Sequence, residues 1–141
     1  MRRSLSLALM GFLAALAAPA HCSINVPSDG SDGAFNPVGN IEIDLSQAVT
    51  ASWDTNNLAN RGKGVYDPAK WAVVFKYSSI NIPAGVTVTF KNHPAVAPVV
   101  WLVQGNCTIK GSIVLNGRTG AITGMPIEGA PGGFRGGLAP G

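Results

Sequence analysis

Short segments in which apolar and polar residues alternate fill the chain between residues 80 and 117. Alternation with a period of two is typical of a β-strand that buries one face. Turn residues such as Pro83-Ala84-Gly85 and Lys110-Gly111 separate the segments, and no helical periodicity interrupts them. The pattern therefore predicts a run of short strands. They lie at residues 80–82, 86–90, 99–103, 107–110 and 112–115.

Two further strands are predicted closer to the N-terminus. Residues 41–45 alternate between aliphatic and acidic side chains, which indicates a strand with one buried face. Residues 70–77 have a continuous apolar centre, which suits a strand that is buried on both faces. Residues 24–39 are rich in turn residues, and residues 52–68, with their clusters of Asn, Asp and Gly, are predicted to form a long loop.

These strands predict a mostly β fold, the start of a short parallel β-solenoid or right-handed β-helix. Alternating apolar pairs return after about 20–26 residues, within the range of roughly 20–50 residues that repeat architectures use for one unit. Each coil of a solenoid buries its apolar face against its neighbours. Residues 24–45 would then cap the first coil. A β-sandwich of seven or eight short antiparallel strands has a similar composition and stays open as the alternative.

The first twenty residues have the features of a secretory signal peptide. Arg2 and Arg3 form a basic start, residues 5–16 form an apolar stretch, and Ala18-Pro19-Ala20 provides a cleavage site. The apolar stretch is shorter than the roughly 20 residues that span a bilayer. We therefore expect a secreted or cell-surface protein with no membrane span after cleavage.

Cleavage changes the charge and sets the domain boundaries. Losing Arg2 and Arg3 lowers the formal net charge from +3 to +1, which removes the argument for a nucleic-acid partner. We divide the chain into a signal peptide at 1–20, a β-rich domain at 21–116 and a tail at 117–141. Nine of the 25 tail residues are glycine, too few large apolar groups remain to pack a core, and a solenoid needs a terminal cap. We expect that the chain is the N-terminal piece of a longer protein, and a natural flexible tail is the alternative.

Several motifs resemble known proteins. S-D-G-S-D-G-A-F, V-Y-D-P-A-K-W-A-V-V-F-K-Y-S-S, F-K-N-H-P, P-V-V-W-L-V and P-G-G-F-R-G-G resemble the N-terminal region of large, uncharacterised exported proteins of planctomycetes and similar bacteria. This resemblance covers residues 27–137 and implies no assigned activity. Residues 80–117 separately resemble the opening coils of right-handed parallel β-helices of the pectate-lyase or polygalacturonase kind. In those enzymes the catalytic residues usually lie on later coils, so the resemblance implies no catalytic residue here.

Candidate sites for metals and for catalysis are few. Asp29 and Asp32 offer carboxylates of the kind that Ca²⁺ binds, but they lack the spacing of an EF-hand, and two Asp-Gly turns are the favoured interpretation. His21 and His93 are the only histidines, so no zinc cluster is predicted. Glycoside hydrolysis needs two carboxylates that face one sugar, and the seven acidic residues show no such pair. We predict no catalytic residue and no cofactor.

Aromatic residues are the strongest candidates for binding. Trp53 and Tyr66 lie in the predicted loop and are our candidates for stacking on a sugar, whose apolar face packs against aromatic rings. Trp71 and Trp101 lie within apolar segments, so we expect them to pack inside the protein.

The mature chain contains two cysteines, Cys22 and Cys107. Export permits a disulfide between them. Cys107 alternates with Ile109, so a small buried thiol is the other interpretation, and spacing does not decide between the two.

Together these features predict an exported structural or surface β-helix module, with polysaccharide or the cell envelope as its partner. One alternative is the N-terminal part of a polysaccharide-active β-helix enzyme. Another is a complete carbohydrate-binding β-sandwich.

Overall fold

The computed structural model describes residues 27–117 and 129–134. Within these ranges the chain is mostly β, and its only helices are single 3₁₀ turns at Leu45–Gln47 and Leu58–Asn60. No helix in the described part is long and apolar enough to cross a membrane. The strands are β1 Gly33–Phe35, β2 Ile41–Asp44, β3 Val49–Thr50, β4 Val65–Asp67, β5 Ala72–Ile82, β6 Thr87–Lys91, β7 Val99–Val103, β8 Cys107–Ile109 and β9 Ser112–Ile113.

Parallel pairing dominates the two sheets. Of the seven pairings between described strands, six are parallel, and only β4 and β5 run antiparallel. The smaller sheet stacks β2, β6 and β9 in that order. The antiparallel pairing that a β-sandwich requires is therefore confined to one hairpin.

The larger sheet is built around β5, which has neighbours along both edges. Val73 and Val74 pair with β7, and β4 pairs with the same residues from the opposite edge. Further along, Ile80 pairs with β1 on one edge and with β8 on the other. One edge of β5 thus carries β4 and β1, and the other carries β7 and β8.

The larger sheet bends at Ser78. Gly33 is opposite Tyr77 but Ala34 is opposite Ser79, so Ser78 is an extra residue in β5. On the other edge the chain leaves β7 after Val103 and begins β8 four residues later. A bulge of this kind turns a strand and shifts which side chains face inwards. The bend curls the sheet so that both of its halves face the same core.

The core consists of aliphatic side chains that lie above one another on neighbouring strands. Ile41, Val88 and Ile113 are in register on β2, β6 and β9. The middle residue of this row, Val88, is fully buried, whereas Ile41 is 40 % exposed. The same order holds where Ile82, fully buried, lies beside Ile109, 47 % exposed. In these two rows burial is complete on β5 and β6, which form the middle layer, and incomplete on β2 and β8, which belong to the outer layers.

The outer face of β5 is also covered. Every residue from Ala72 to Tyr77 is buried, as the continuous apolar segment predicted. Residues 28–32 and the loop at 51–64 lie on the side that includes Lys76. The prediction of a strand buried on both faces is confirmed for this part of β5.

Two glycines allow the backbone of the last layer, which β7, β8 and β9 form, to approach the middle layer. A Cβ atom at Gly111 would lie 2.2 Å from the carbonyl oxygen of Val86, and one at Gly105 would lie 2.8 Å from that of Ser78. Both obstacles are backbone atoms, which cannot move aside as a side chain can. Glycine is therefore the residue that fits these two corners.

Several predicted strands agree with the structure, and two interpretations need correction. β2, β6 and β7 lie within a residue of their predicted positions, and the two predicted segments at 70–77 and 80–82 form the single strand β5. Within the predicted cap, β1 pairs with β5 and β2 pairs with β6, each at one edge of its sheet. The predicted loop at 52–68 ends in a strand, β4.

Candidate functional site

A buried polar cluster joins the start of the described chain to β5. The Asp32 side chain accepts hydrogen bonds from the backbone N–H of Lys76 (2.7 Å) and of Gly62 (2.9 Å) and from Asn57 Nδ2 (2.8 Å). The Lys76 ammonium, only 2 % exposed, pairs with Asp29 Oδ2 at 3.2 Å and donates to the carbonyl of Thr55. These contacts hold the loop at 51–64 and residues 28–32 against β5.

This geometry gives no support to a calcium site at Asp29 and Asp32. The Lys76 ammonium lies against Asp29, and the Asp32 carboxylate is already occupied by three donors. Burial raises the pKa of Asp29, but hydrogen bonds from Ser31 and Lys76 outweigh it and leave the pKa lowered. Gly30 and Gly33 have positive φ angles of 66° and 78°, which glycine adopts readily in Asp-Gly turns. The described residues contain no group of three or more His, Cys, Asp or Glu side chains that would hold a metal ion.

A groove of about 220 Å³ lies beside β2, and its lining includes Glu42 and Lys63. Asp44 also lines it, and its carboxylate pairs with Lys91 at 2.8 Å. The hydrogen bond from Lys91 and a second from Ser46 hold the pKa of Asp44 far below its usual range. Asp44 therefore stays ionised and cannot act as the proton donor that glycoside hydrolysis requires.

The two predicted sugar contacts have different surroundings. Trp53 is half-buried in a turn, and its backbone N–H donates to Asp67 Oδ2 at 3.0 Å. Tyr66 lies in β4 and not in a loop, and the ring of His93 stacks on it with a centroid distance of 4.0 Å. One face of Tyr66 is therefore already covered by an imidazole.

Asp67 organises the turns that carry two of the tryptophans. Besides the N–H of Trp53, its carboxylate accepts the backbone N–H of Ala69 at 2.8 Å and of Lys70 at 3.3 Å. These hydrogen bonds, the one from Trp53 first, lower the pKa of Asp67. Asp67 thereby fixes the hairpin loop between β4 and β5, whose last residue is Trp71.

Trp71 lies on the surface, which corrects the prediction that it packs inside. It precedes β5, is 43 % exposed and has a φ angle of 48°. Its Nε1–H donates to the carbonyl of Ala95 at 3.1 Å. Trp101 agrees better with its prediction, since it is half-buried among Phe35, Tyr77 and Phe90.

We expect His93 to titrate below its ordinary pKa. Its Nδ1 accepts the N–H of Ala95 at 3.1 Å, and burial lowers its pKa from 6.5. The unfolded chain then binds the proton more readily, so this residue reduces the free energy of unfolding as the pH falls below about 6.5. NMR titration of a His21→Ala variant, which leaves His93 as the only imidazole, measures the pKa directly. A value at or above 6.5 would contradict the burial of the ring.

One of the two cysteines lies within the described part of the chain. Cys107 is an exposed free thiol on β8, in register with Ile80. Cys22 lies outside the described residues, so the disulfide stays a prediction. The signal peptide at 1–20 and most of the tail at 117–141 also lie outside them.

The far edge of β7, β8 and β9 is open in the described part of the chain. The N–H groups of Gln104 and Lys110 donate to β5, and that of Val114 donates to Val88 of β6. Backbone N–H groups point alternately to the two edges of a strand. The N–H groups of Val103 and Ile113, which directly precede Gln104 and Val114, therefore point to the edge that faces away from the middle layer. No described strand pairs with that edge. Its layer also leaves large apolar side chains exposed, at Val100, Ile109 and Leu115.

No family model, no curated protein and no solved structure matches the chain.

Proposed function

We propose that the chain is an exported structural module that begins a parallel β-solenoid at the cell surface. Its β7–β9 edge would receive the next coil, and envelope polysaccharide would be its partner. Export is supported by the basic start, apolar stretch and A-x-A site of residues 1–20. The observation that carries the proposal is the regular return of the chain onto its own strands.

The return distance is almost constant over three separate pairings. Val73 lies opposite Val99, Ile80 opposite Cys107 and Thr87 opposite Ser112, which are offsets of 26, 27 and 25 residues. A single coil length in both sheets is what a solenoid requires. The preceding coil, from β2 to β6, has an offset of 47 residues between Ile41 and Val88. The difference is accounted for by the segment that contains β3, β4 and the long loop.

Incomplete burial in the last layer supports a further coil at the β7–β9 edge. In a stack of coils each layer is buried by the next, and Ile109 and Leu115 are 47 % and 46 % exposed. Residues 129–134 return towards this layer, since the N–H of Gly132 donates to the carbonyl of Val96 at 3.0 Å.

Amide hydrogen exchange of residues 21–141 tests the open edge. We expect slow exchange at Gln104, Lys110 and Val114, whose N–H groups bond to the middle layer. We expect faster exchange at Val103 and Ile113, whose N–H groups face the open edge. Equal protection of both sets in a monomer would mean that the chain's own residues already pair with this edge, and the proposed site for a next coil would then be lost.

Charge substitutions at the edge provide a second test. An exposed apolar edge promotes association between copies, so we expect residues 21–141 to associate as concentration rises. An Ile109→Lys, Leu115→Lys variant should remain monomeric in analytical ultracentrifugation. Val38→Lys, a matched control at a fully exposed apolar residue away from this edge, should associate like the parent. Loss of association in both variants would indicate a nonspecific effect of charge and would argue against the edge.

A further inference from the structure

We propose that Trp71 is a binding platform for a neutral polysaccharide chain, with its indole ring stacked on the face of one pyranose unit. This inference does not depend on the solenoid. It rests on the backbone, the exposure and the anchoring of one residue.

The backbone of Trp71 adopts a conformation that glycine normally provides. Its φ angle of 48° places it in the left-handed region, and among the described residues only Val96, at 50°, shares this property without being glycine. Bulky and β-branched residues rarely adopt such angles, because Cβ collides with the backbone. Strain of this kind persists where the surrounding structure holds it, and it is concentrated at functional sites.

Burial of the indole is incomplete. Trp71 is 43 % exposed, whereas the neighbouring Val73 and Phe75 are fully buried. A glycine here would relieve the backbone, and a smaller side chain would expose less apolar surface to water. A large, partly exposed ring at a strained position is available for binding as well as for packing.

The ring is held in place before any ligand arrives. The Trp71 Nε1–H donates to the carbonyl of Ala95, and the N–H of Ala95 donates in turn to His93. His93 is stacked on Tyr66, and Asp67 fixes the loop from Ala69 onwards. An aromatic ring that is already immobilised loses little conformational entropy on binding.

The size and charge of the site favour a sugar over a macromolecular surface. A tryptophan offers roughly 150–250 Å² in total, whereas a stable protein interface needs about 800 Å² on each partner. One indole therefore matches one sugar ring. The mature chain is nearly neutral, and the carboxylate of Asp67 is engaged by three backbone N–H groups. Neither feature favours a nucleic acid or a charged ligand.

Binding of cellohexaose and xylohexaose, and retention on insoluble cellulose and chitin, test the proposal. With the mature chain we expect binding to at least one of these probes, and a loss of at least about tenfold in affinity for Trp71→Gly. We expect the same variant to stay folded and to lose less melting temperature than Trp101→Ala, since glycine removes the backbone strain. Trp71→Phe should retain part of the affinity.

Leu58→Ala is the matched control, since Leu58 is a large apolar residue that is 64 % exposed elsewhere on the surface. It should bind as the parent does. The proposal is overturned if the parent binds none of the four probes, or if Trp71→Gly binds as the parent does. It is also overturned if Trp71→Gly lowers the melting temperature as much as Trp101→Ala, because the indole would then be a packing residue.

Discussion

Replacing Asp32 by alanine is expected to lower the free energy of unfolding by about 3–5 kcal/mol. The Asp32 carboxylate is 4 % exposed, and it accepts hydrogen bonds from the backbone of Lys76 and Gly62 and from the amide of Asn57. Alanine leaves these buried donors without their acceptor, and each lost partner costs about 1–3 kcal/mol. Denaturation by urea, followed by circular dichroism, measures the change.

Asp44→Ala is the control for this prediction. Asp44 also accepts several hydrogen bonds and forms an ion pair with Lys91, but both side chains are partly in water. Exposed pairs and 3₁₀ or helical caps contribute about 1 kcal/mol. If Asp44→Ala costs as much as Asp32→Ala, burial is not what makes the Asp32 cluster important.

Replacing Phe75 by alanine is expected to cost about 3–5 kcal/mol, the range seen when a buried phenylalanine is truncated. Phe75 is fully buried in the middle layer, lies in register with Trp101 and stacks on Tyr77 at a centroid distance of 5.5 Å. Gly64 leaves the space that its ring occupies, since a Cβ there would lie 2.9 Å from the ring. Alanine would leave a cavity that these neighbours fill only in part.

Val100→Ala, measured by the same urea denaturation, is the control for Phe75. Val100 lies on β7 of the last layer and is 37 % exposed, so its truncation should cost less than about 1 kcal/mol. The comparison tests whether truncating a side chain of the middle layer lowers the free energy of unfolding more than truncating one of the last layer. Equal costs would mean that something buries Val100 as fully as Phe75.

Sequence periodicity predicts the strands of the last two layers well because their pattern is local. The five apolar residues of β7 and the alternation in β6 need no distant partner to be recognised. β1 and β4 were missed for the opposite reason. Each has three residues, and each is a strand only because it pairs with β5. Short strands of this kind are determined by tertiary contacts more than by their own composition.

The candidate sites also depend partly on local sequence, which is predictable, and partly on contacts between distant residues, which are not. Lys76 lies within an apolar run, but its burial depends on Asp29 and Thr55, which are distant in sequence. Trp71 begins that run, which is why its pattern predicts a buried side chain. The Asp67-Pro68 pair before it is a turn signal that moves the start of the strand by two residues, from Lys70 to Ala72. The exposure of Trp71 follows from its φ angle in the turn, and the hydrophobicity of the sequence does not encode that angle.

The hydroxyl of Ser28 has a consequence for the order in which the chain folds. It lies 3.4 Å from the carbonyl oxygen of Tyr77 and 3.2 Å from that of Leu102, 49 and 74 residues further along. Contacts between such distant residues form late, because closing the intervening loop costs entropy first. For a chain exported as proposed, the first residues to emerge must wait until the third layer has been delivered. Such a protein would complete the contacts of Ser28 only after Leu102 has crossed the membrane.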